Sequence, residues 1–193
     1  MQVSVITAPA GMARWNLVLD YMSLRREVFI GKKRWDLRSD AGLEFEQYDA
    51  FQSSTYVLVH DGETVHAGCR LMRTDTTIGT GRIKYSYMIR DAYLGLIDLP
   101  SELCDEEPPA DDKNWELTRL VSRGVNREAS LRCMYGAYDY LLTLGASGCL
   151  CLGSPAIMRL ARISGFKPRP LGRICRHLED PLVAFALPLG RQE

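Results

Sequence analysis

Apolar positions recur along the chain at two different spacings, which predict a mixture of helices and strands. In the segment 12–29 they recur every three or four residues, which indicates one amphipathic helix carrying Trp15, Val18, Leu19, Met22 and Phe29 on its apolar face. Apolar periodicity also predicts helices at 129–144, with Leu142 among the residues on its inner side, and at 155–164. Short apolar or alternating runs predict strands at 3–6, 56–60, 65–72, 115–122, 149–152 and 183–189.

The order of these elements predicts an α/β sandwich around one mixed, largely antiparallel sheet. Asp61-Gly62 between the second and third strands is a hairpin turn signal. The strands and helices do not alternate strictly, and no GxGxxG or GxxxxGK[ST] motif is present, which argues against the usual nucleotide-binding loops. We expect residues 1–193 to form a single domain.

Charge and composition make several classes of function less plausible for this chain. The chain has 24 basic and 24 acidic side chains, so a uniformly basic surface for nucleic acid is disfavoured. The first residues lack the features of a signal peptide, and no apolar run approaches the roughly 20 residues that cross a bilayer. We therefore expect a cytoplasmic protein without membrane insertion. The six cysteines are predicted to be small buried thiols rather than metal ligands.

The segment 30–54 is long and polar, and it contains three carboxylates next to Tyr48. If this part is extended, Glu44 and Glu46 project to the same side, with Asp49 three residues further on. Paired carboxylates can hold a cation or take a proton from an amine. A solvated acidic loop is the alternative interpretation of this segment.

Two predicted strands carry charged residues in their interiors. Arg70 lies in the middle of one, and Glu116 and Arg119 lie in another. Residues 116 and 119 point to opposite faces of a regular strand, so a shared cleft requires a β-bulge. Together with the three carboxylates, these side chains could bind a zwitterion such as an amino acid; structural ion pairs are the alternative.

Taken in order, these residues resemble the acyl-homoserine-lactone (autoinducer) synthase family. The resemblance is carried by Leu24-Arg25-Arg26-Glu27-Val28-Phe29, Trp35, Glu44-x-Glu46-x-Tyr48-Asp49, Gly68-Cys69-Arg70-Leu71 and Trp115-Glu116-Leu117-Thr118-Arg119. It implies a three-layer fold like that of the Gcn5-related N-acetyltransferases, with helices flanking a V-shaped, mostly antiparallel sheet.

The resemblance also implies a reaction. An acyl group would pass from an acyl-carrier protein or acyl-coenzyme A to the amine of S-adenosylmethionine, and the product would close to a lactone with release of methylthioadenosine, a quorum-sensing chemistry that needs no cofactor or metal. The implied catalytic residues are Glu44, as base, with Glu116 and Arg119. The implied S-adenosylmethionine pocket consists of Arg25, Phe29, Trp35, Glu46, Asp49 and Arg70, where Glu46 replaces the family's usual Asp.

The acyl chain and its carrier are assigned to the C-terminal half. Met88, Leu142, Cys151 and Ser154 are expected in an apolar acyl pocket, although ordinary core packing explains apolar residues equally well. Arg159, Arg162 and Lys167 are expected to dock an acidic acyl-carrier protein, with a solvated basic face as the alternative.

Two other functions remain open. The chain could be an acyl-coenzyme A-dependent N-acyltransferase for another amine, although 122–127 is a poor match to a glycine-rich pyrophosphate loop. It could also be a non-catalytic homologue that binds a carrier protein.

Overall fold

The computed structural model describes residues 1–80, 82 and 84–190. Its strands are β1 (Gln2–Thr7), β2 (Ser39–Asp40), β3 (Leu43–Glu44), β4 (Thr55–His60), β5 (Val65–Arg73), β6 (Asn114–Ser122), β7 (Gly148–Gly153), β8 (Arg169–Pro170), β9 (Cys175–His177) and β10 (Asp180–Pro188). Its α-helices are α1 (Trp15–Arg25), α2 (Met88–Tyr93), α3 (Arg127–Thr143) and α4 (Pro155–Ile163).

The predicted strands and helices are all found, with small shifts at their ends. The N-terminal helix is more complex than predicted: a 3-10 turn, Met12–Arg14, precedes α1, and a π-helical segment, Arg26–Lys32, follows it. The short strands β2, β3, β8 and β9 were not predicted, because each contributes only a few residues and carries little periodicity.

The chain forms two compact units, each built from two chain segments. The first unit contains Met1–Leu71 and Arg119–Tyr140. In it, β4 pairs antiparallel with both β1 and β5, with Val57 opposite Val5 on one side and Cys69 on the other. The single domain predicted for 1–193 stays a prediction.

Helix α1 packs its buried face into the core of the first unit. The buried residues are Leu17, Val18, Tyr21, Met22, Leu24 and Arg25. Leu19, which the periodicity placed on the apolar face, is 42% exposed, so that part of the prediction is wrong. The buried part of α1 extends further around the helix than a single apolar stripe would. It includes the entire guanidinium of Arg25, because acidic side chains surround that group.

The second unit contains Met72–Thr118 and the chain from Leu141 onward. Its first pairing is parallel, with Asn114–Leu117 of β6 beside Gly148–Cys151 of β7. Strand β10 then pairs antiparallel with β7, β8 and β9. Strands β6 and β7 thus pair in parallel, whereas the other pairs described above are antiparallel. This confirms the predicted mixed, mostly antiparallel sheet of an α/β fold.

The six cysteines are free and buried, as predicted. In the part of the chain that the structure describes, no helix is both long and apolar enough to cross a membrane.

Candidate active site

Six charged side chains meet inside the first unit and form what we call the charge cluster. Its members come from α1, β3, the turn after β3, β5 and β6: Arg25, Glu44, Glu46, Asp49, Arg70 and Arg119. Three carboxylates balance three guanidiniums, so the cluster is formally neutral. Burying a charged side chain costs less free energy when an opposite charge pairs with it, so a neutral set of paired charges can be buried.

Asp49 is the most completely bonded carboxylate of the charge cluster. Arg25 donates to both of its oxygens, at 2.7 and 2.9 Å, and Arg70 lies 3.2 Å away. The Glu46 N–H and the Tyr56 hydroxyl also donate to it, at 2.9 and 3.2 Å. Burial raises the pKa of Asp49, but the Arg70 and Arg25 guanidiniums outweigh burial and hold that pKa well below its usual range. Asp49 therefore stays ionised, and its carboxylate holds the guanidiniums of Arg25 and Arg70 in place.

Glu46 is the most accessible carboxylate of the three. Arg119 donates to both of its oxygens, at 3.1 and 2.5 Å, and Arg70 Nη2 lies 2.9 Å from Oε1. Its side chain is 14% exposed, compared with 1% for Glu44 and 2% for Asp49. Burial raises the pKa of Glu46, but the combined charges of Arg119 and Arg70 lower it overall. The longer Glu thus keeps full ionic contact with the cluster.

Glu44 differs from its neighbours because one of its oxygens has spare bonding capacity. Arg25 Nε donates to Oε2. Oε1 is buried and has no hydrogen-bond partner, and Arg119 Nη2 lies 3.6 Å from it. A buried carboxylate oxygen without a partner is costly and calls for an explanation such as a ligand. Oε1 of Glu44 is therefore the atom best placed to receive a proton or an ammonium group.

The backbone of Arg119 departs from regular strand geometry. Its φ is +56°, in the left-handed region that side-chain-bearing residues rarely adopt. The β-bulge predicted in β6, which would let Glu116 and Arg119 face one cleft, stays a prediction. The guanidinium carbon of Arg119 lies 5.1 Å from the centre of the Phe29 ring, and Phe29 stacks on Trp35 at 5.0 Å. The two predicted aromatic residues thus form one wall beside the charge cluster.

Sequence reasoning noted Tyr48 beside the carboxylates, but it missed Tyr21 and Tyr56 and predicted no contact between a tyrosine and an arginine. Arg25 lies 5.4 Å from the ring centre of Tyr21, and Arg70 lies 5.5 Å from that of Tyr48. Tyr21 and Tyr56 contact each other edge to face. Tyr21 precedes Arg25 by four positions on α1, so helical spacing to an arginine of interest was the available signal.

Glu116 forms hydrogen bonds in the second unit, at the start of α2. Its two carboxylate oxygens accept from the backbone N–H groups of Met88, at 3.3 Å, and Ile89, at 2.7 Å. These groups open α2 and have no partner within the helix. Glu116 is fully buried, and its negative charge suits a helix N-terminus. The structure therefore gives Glu116 a helix-capping contact.

The four residues predicted to line the acyl pocket all belong to the second unit. Met88 and Cys151 are buried and Ser154 is half-buried. Leu142 is 40% exposed, so the expectation that it lies on the inner side of its helix is wrong. Helix α3 ends one residue later, and its last turn points this side chain outward.

Cys151 is a buried and electrically neutral side chain. Its sulfur lies 3.9 Å from that of Cys149. The Cys149 thiol and burial together raise the pKa of Cys151 well above its ordinary value. The group therefore stays a protonated thiol and behaves as a small apolar side chain.

The predicted docking residues are solvent-accessible, as a docking role requires. Arg159 and Arg162 lie on α4, and Lys167 follows that helix; all three are exposed. Further exposed arginines of the same unit are Arg169, Arg173 and Arg176. Arg173 is paired with Glu102 at 2.6 Å.

Metal chemistry has no obvious ligand set in the described ranges. There, no group of three or more histidine, cysteine, aspartate or glutamate side chains is arranged to hold a metal ion.

Comparison with known proteins shows which family this chain resembles. An acyl-homoserine-lactone synthase of Pseudomonas aeruginosa is 26% identical to this chain over 167 residues, which are 85% of this chain and 75% of that one. The fold is similar to that of BjaI, a coenzyme A-dependent acyl-homoserine lactone synthase solved with S-adenosylmethionine and isopentyl-coenzyme A. The TM-score is 0.79 at 20% identity, covering 98% of this chain and 83% of BjaI.

The fold is also similar to that of an acyl-coenzyme A N-acyltransferase from Pseudomonas aeruginosa. Here the TM-score is 0.60 at 12% identity, covering 96% of this chain and 99% of the other. This agrees with the acetyltransferase-like fold that the family resemblance implied. Residues 12–192 match the family model described as autoinducer synthase. Because that match spans nearly the whole sequence, this chain belongs to the autoinducer synthase family.

Proposed function

We propose that this chain is an acyl-homoserine-lactone synthase. It transfers an acyl group from a thioester to the amine of S-adenosylmethionine and closes the product to a lactone, releasing methylthioadenosine. The observation that carries this proposal is the neutral, buried charge cluster in which one carboxylate oxygen, Oε1 of Glu44, lacks a hydrogen-bond partner.

Charge balance supports an amino-acid ligand at this cluster. A simple cation or anion would leave a formally neutral site with an uncompensated charge, whereas an amino-acid group brings both signs. Its ammonium fits Oε1 of Glu44, and its carboxylate fits the guanidinium of Arg119 or Arg70. The Phe29–Trp35 pair offers an aromatic surface beside Arg119, and aromatic faces attract cations such as a sulfonium.

Acyl transfer requires a free amine. Glu44 takes one proton from the ammonium group, and the amine nitrogen attacks the thioester carbon. The N–C bond forms, the C–S bond of the thioester breaks, and the carrier leaves as its thiol after taking up the second proton that the attacking nitrogen loses. Arg119 and Arg25 flank Glu44, which fixes the orientation of its carboxylate.

Lactone closure uses groups within the same molecule. A carboxylate oxygen attacks the γ-carbon next to the sulfonium, the carbon–sulfur bond breaks, and methylthioadenosine leaves as a neutral thioether. The nucleophile and the leaving group are already held together, so proximity favours this step. Neither step needs a metal or a redox cofactor, because the thioester carries an activated acyl group and the sulfonium supplies the leaving group for closure.

The acyl donor is a thioester of an acyl-carrier protein or of coenzyme A. Exposed Arg159, Arg162 and Lys167 provide positive charge for an acidic carrier protein or for the phosphates of coenzyme A. Met88 and Cys151 are the buried candidates for contact with the acyl chain.

The decisive experiment is incubation of the purified chain with S-adenosylmethionine and a panel of acyl-carrier-protein and acyl-coenzyme A donors, followed by mass spectrometry. We expect an acyl-homoserine lactone and an equal amount of methylthioadenosine from at least one donor. An acylated product of another amine, supplied in the same panel, without any methylthioadenosine would favour the N-acyltransferase alternative. Absence of both lactone and methylthioadenosine across the panel would refute the proposal.

A further inference from the structure

The backbone of Arg119 is held in a conformation that its side chain disfavours. A φ of +56° brings Cβ close to the neighbouring carbonyl group, which is why such values are normally left to glycine. Strained residues of this kind persist where surrounding contacts enforce them, often at functional sites. The contact that enforces this conformation therefore bears on the position of the Arg119 guanidinium.

One contact to this backbone comes from the Tyr21 hydroxyl. It donates a hydrogen bond of 2.7 Å to the carbonyl oxygen of Arg119, 98 residues away in sequence. Tyr21 is fully buried, and Arg25, one turn later on α1, lies against the face of its ring. Burial, as the leading cause, raises the pKa of Tyr21 well above its ordinary value, so the hydroxyl remains a donor.

The ring of Tyr21 is itself fixed by a glycine in β5. A Cβ placed on Gly68 would lie 2.7 Å from Tyr21 Cδ2 and 2.7 Å from Leu58 Cδ2, closer than real contacts allow. The ring therefore lies directly on the strand backbone, at a place where only glycine leaves room. This explains why a residue without a side chain stands two positions before Arg70.

We propose that Tyr21 is a positioning residue that sets the affinity of the site for the amino-acid end of S-adenosylmethionine. This inference rests on the proposed function. Tyr21 holds the Arg119 carbonyl, the held carbonyl maintains the left-handed backbone, and this backbone directs the guanidinium to Glu46. Arg119 donates to both oxygens of Glu46, and its Nη2 lies 3.6 Å from Oε1 of Glu44.

Tyr21→Phe tests the inference because it keeps the ring and removes only the hydroxyl. The matched control is Tyr87→Phe, in the second unit, where a buried tyrosine hydroxyl likewise donates to a backbone carbonyl, that of Pro109, at 2.5 Å. We expect Tyr21→Phe to weaken S-adenosylmethionine binding about tenfold, as for one lost buried hydrogen bond, with the KM for the acyl donor unchanged. Tyr87→Phe should leave the S-adenosylmethionine affinity within about twofold of the parent chain.

A second measurement does not depend on catalysis. The NMR signal of the Arg119 Nε–H, which donates to Glu46, should shift in Tyr21→Phe and stay in place in Tyr87→Phe. Parent-like affinity together with an unshifted Arg119 signal in Tyr21→Phe would overturn the positioning role. If the parent chain itself binds no S-adenosylmethionine, the proposed function fails; the role of Tyr21 in setting that affinity fails with it, and the Arg119 signal then reports only the backbone contact.

Discussion

Arg25 and Asp49 form a two-point ion pair inside the first unit, with Nη1–Oδ1 at 2.7 Å and Nη2–Oδ2 at 2.9 Å. Both side chains are almost fully excluded from solvent. Burial lowers the pKa of Arg25, but the negative charge of Asp49 and its hydrogen bonds raise it overall, so the pair stays ionised. Removing either partner leaves the other charged and buried, which is the costly way to break such a pair.

The first prediction concerns the geometry of this pair. Arg25→Lys keeps the charge but cannot bond Glu44 and both oxygens of Asp49 at once, because an ammonium lacks the planar fork of a guanidinium. We expect the free energy of unfolding in urea to fall by about 3 kcal/mol. The neighbouring exposed Arg26→Lys is the control, with an expected change below about 0.5 kcal/mol. Equal effects of the two substitutions would contradict the pair's importance.

The second prediction concerns acid stability. The pKa of Asp49 is lower in the folded chain than in the unfolded chain, so the unfolded chain binds more protons as the pH falls. Its contribution to stability is therefore complete well above pH 4, near the pKa of an ordinary aspartate, and is lost progressively below that value. Urea unfolding between pH 7 and pH 3 should show a shallower acid decline for Asp49→Asn than for the parent chain. The exposed Asp36→Asn should retain the parent's slope.

The third prediction concerns the base. Glu44→Gln preserves size and the bond to Arg25 through its amide oxygen, but it cannot take a proton from the amine. We expect kcat to fall by about a hundredfold or more, the usual contribution of a positioned general base. Exposed Glu63→Gln is the matched control and should keep the parent's turnover. Full turnover by purified Glu44→Gln would remove Glu44 from that role.

The fourth prediction separates Glu116 from Glu44. Because Glu116 caps α2, Glu116→Gln weakens the contacts to the Met88 and Ile89 N–H groups rather than an amine-accepting oxygen. We expect a loss of about 1 to 2 kcal/mol in the free energy of unfolding. The pH dependence of kcat should keep the parent's shape. A changed acidic limb in that profile would instead show that Glu116 exchanges a proton during turnover.

The fifth prediction concerns the carrier. Reversing the charges of Arg159, Arg162 and Lys167 to Glu should lower kcat/KM for an acyl-carrier-protein donor by about tenfold or more and weaken its dependence on salt. Reversal of Arg73, Arg82 and Lys84, also exposed, makes the same change in net charge and serves as the control. Equal losses in the two triple variants would indicate a general charge effect and no docking surface.

The local pattern of apolar and polar residues was sufficient to predict much of the fold. The helical spacing at α1, the alternation in β5 and the Asp61-Gly62 turn each reflect interactions between residues close in sequence, and all three were found where expected. The three carboxylates were recognised because they lie within six positions of one another. Leu19 and Leu142 were misplaced, since periodicity identifies an apolar side chain but not the partner that would cover it.

What the sequence by itself determined is the set of chemical groups: three carboxylates and the arginines that balance them. The tertiary structure decided which of these charged groups pair with one another. Asp49 is saturated by arginines and Oε1 of Glu44 is left without a hydrogen bond, because α1 brings Arg25 to residues 19 and 24 positions further on. It also decided that Tyr21 reaches Arg119 and that Glu116 caps a helix. These contacts join residues distant along the chain, and their distances and free oxygens depend on packing, which no local pattern encodes.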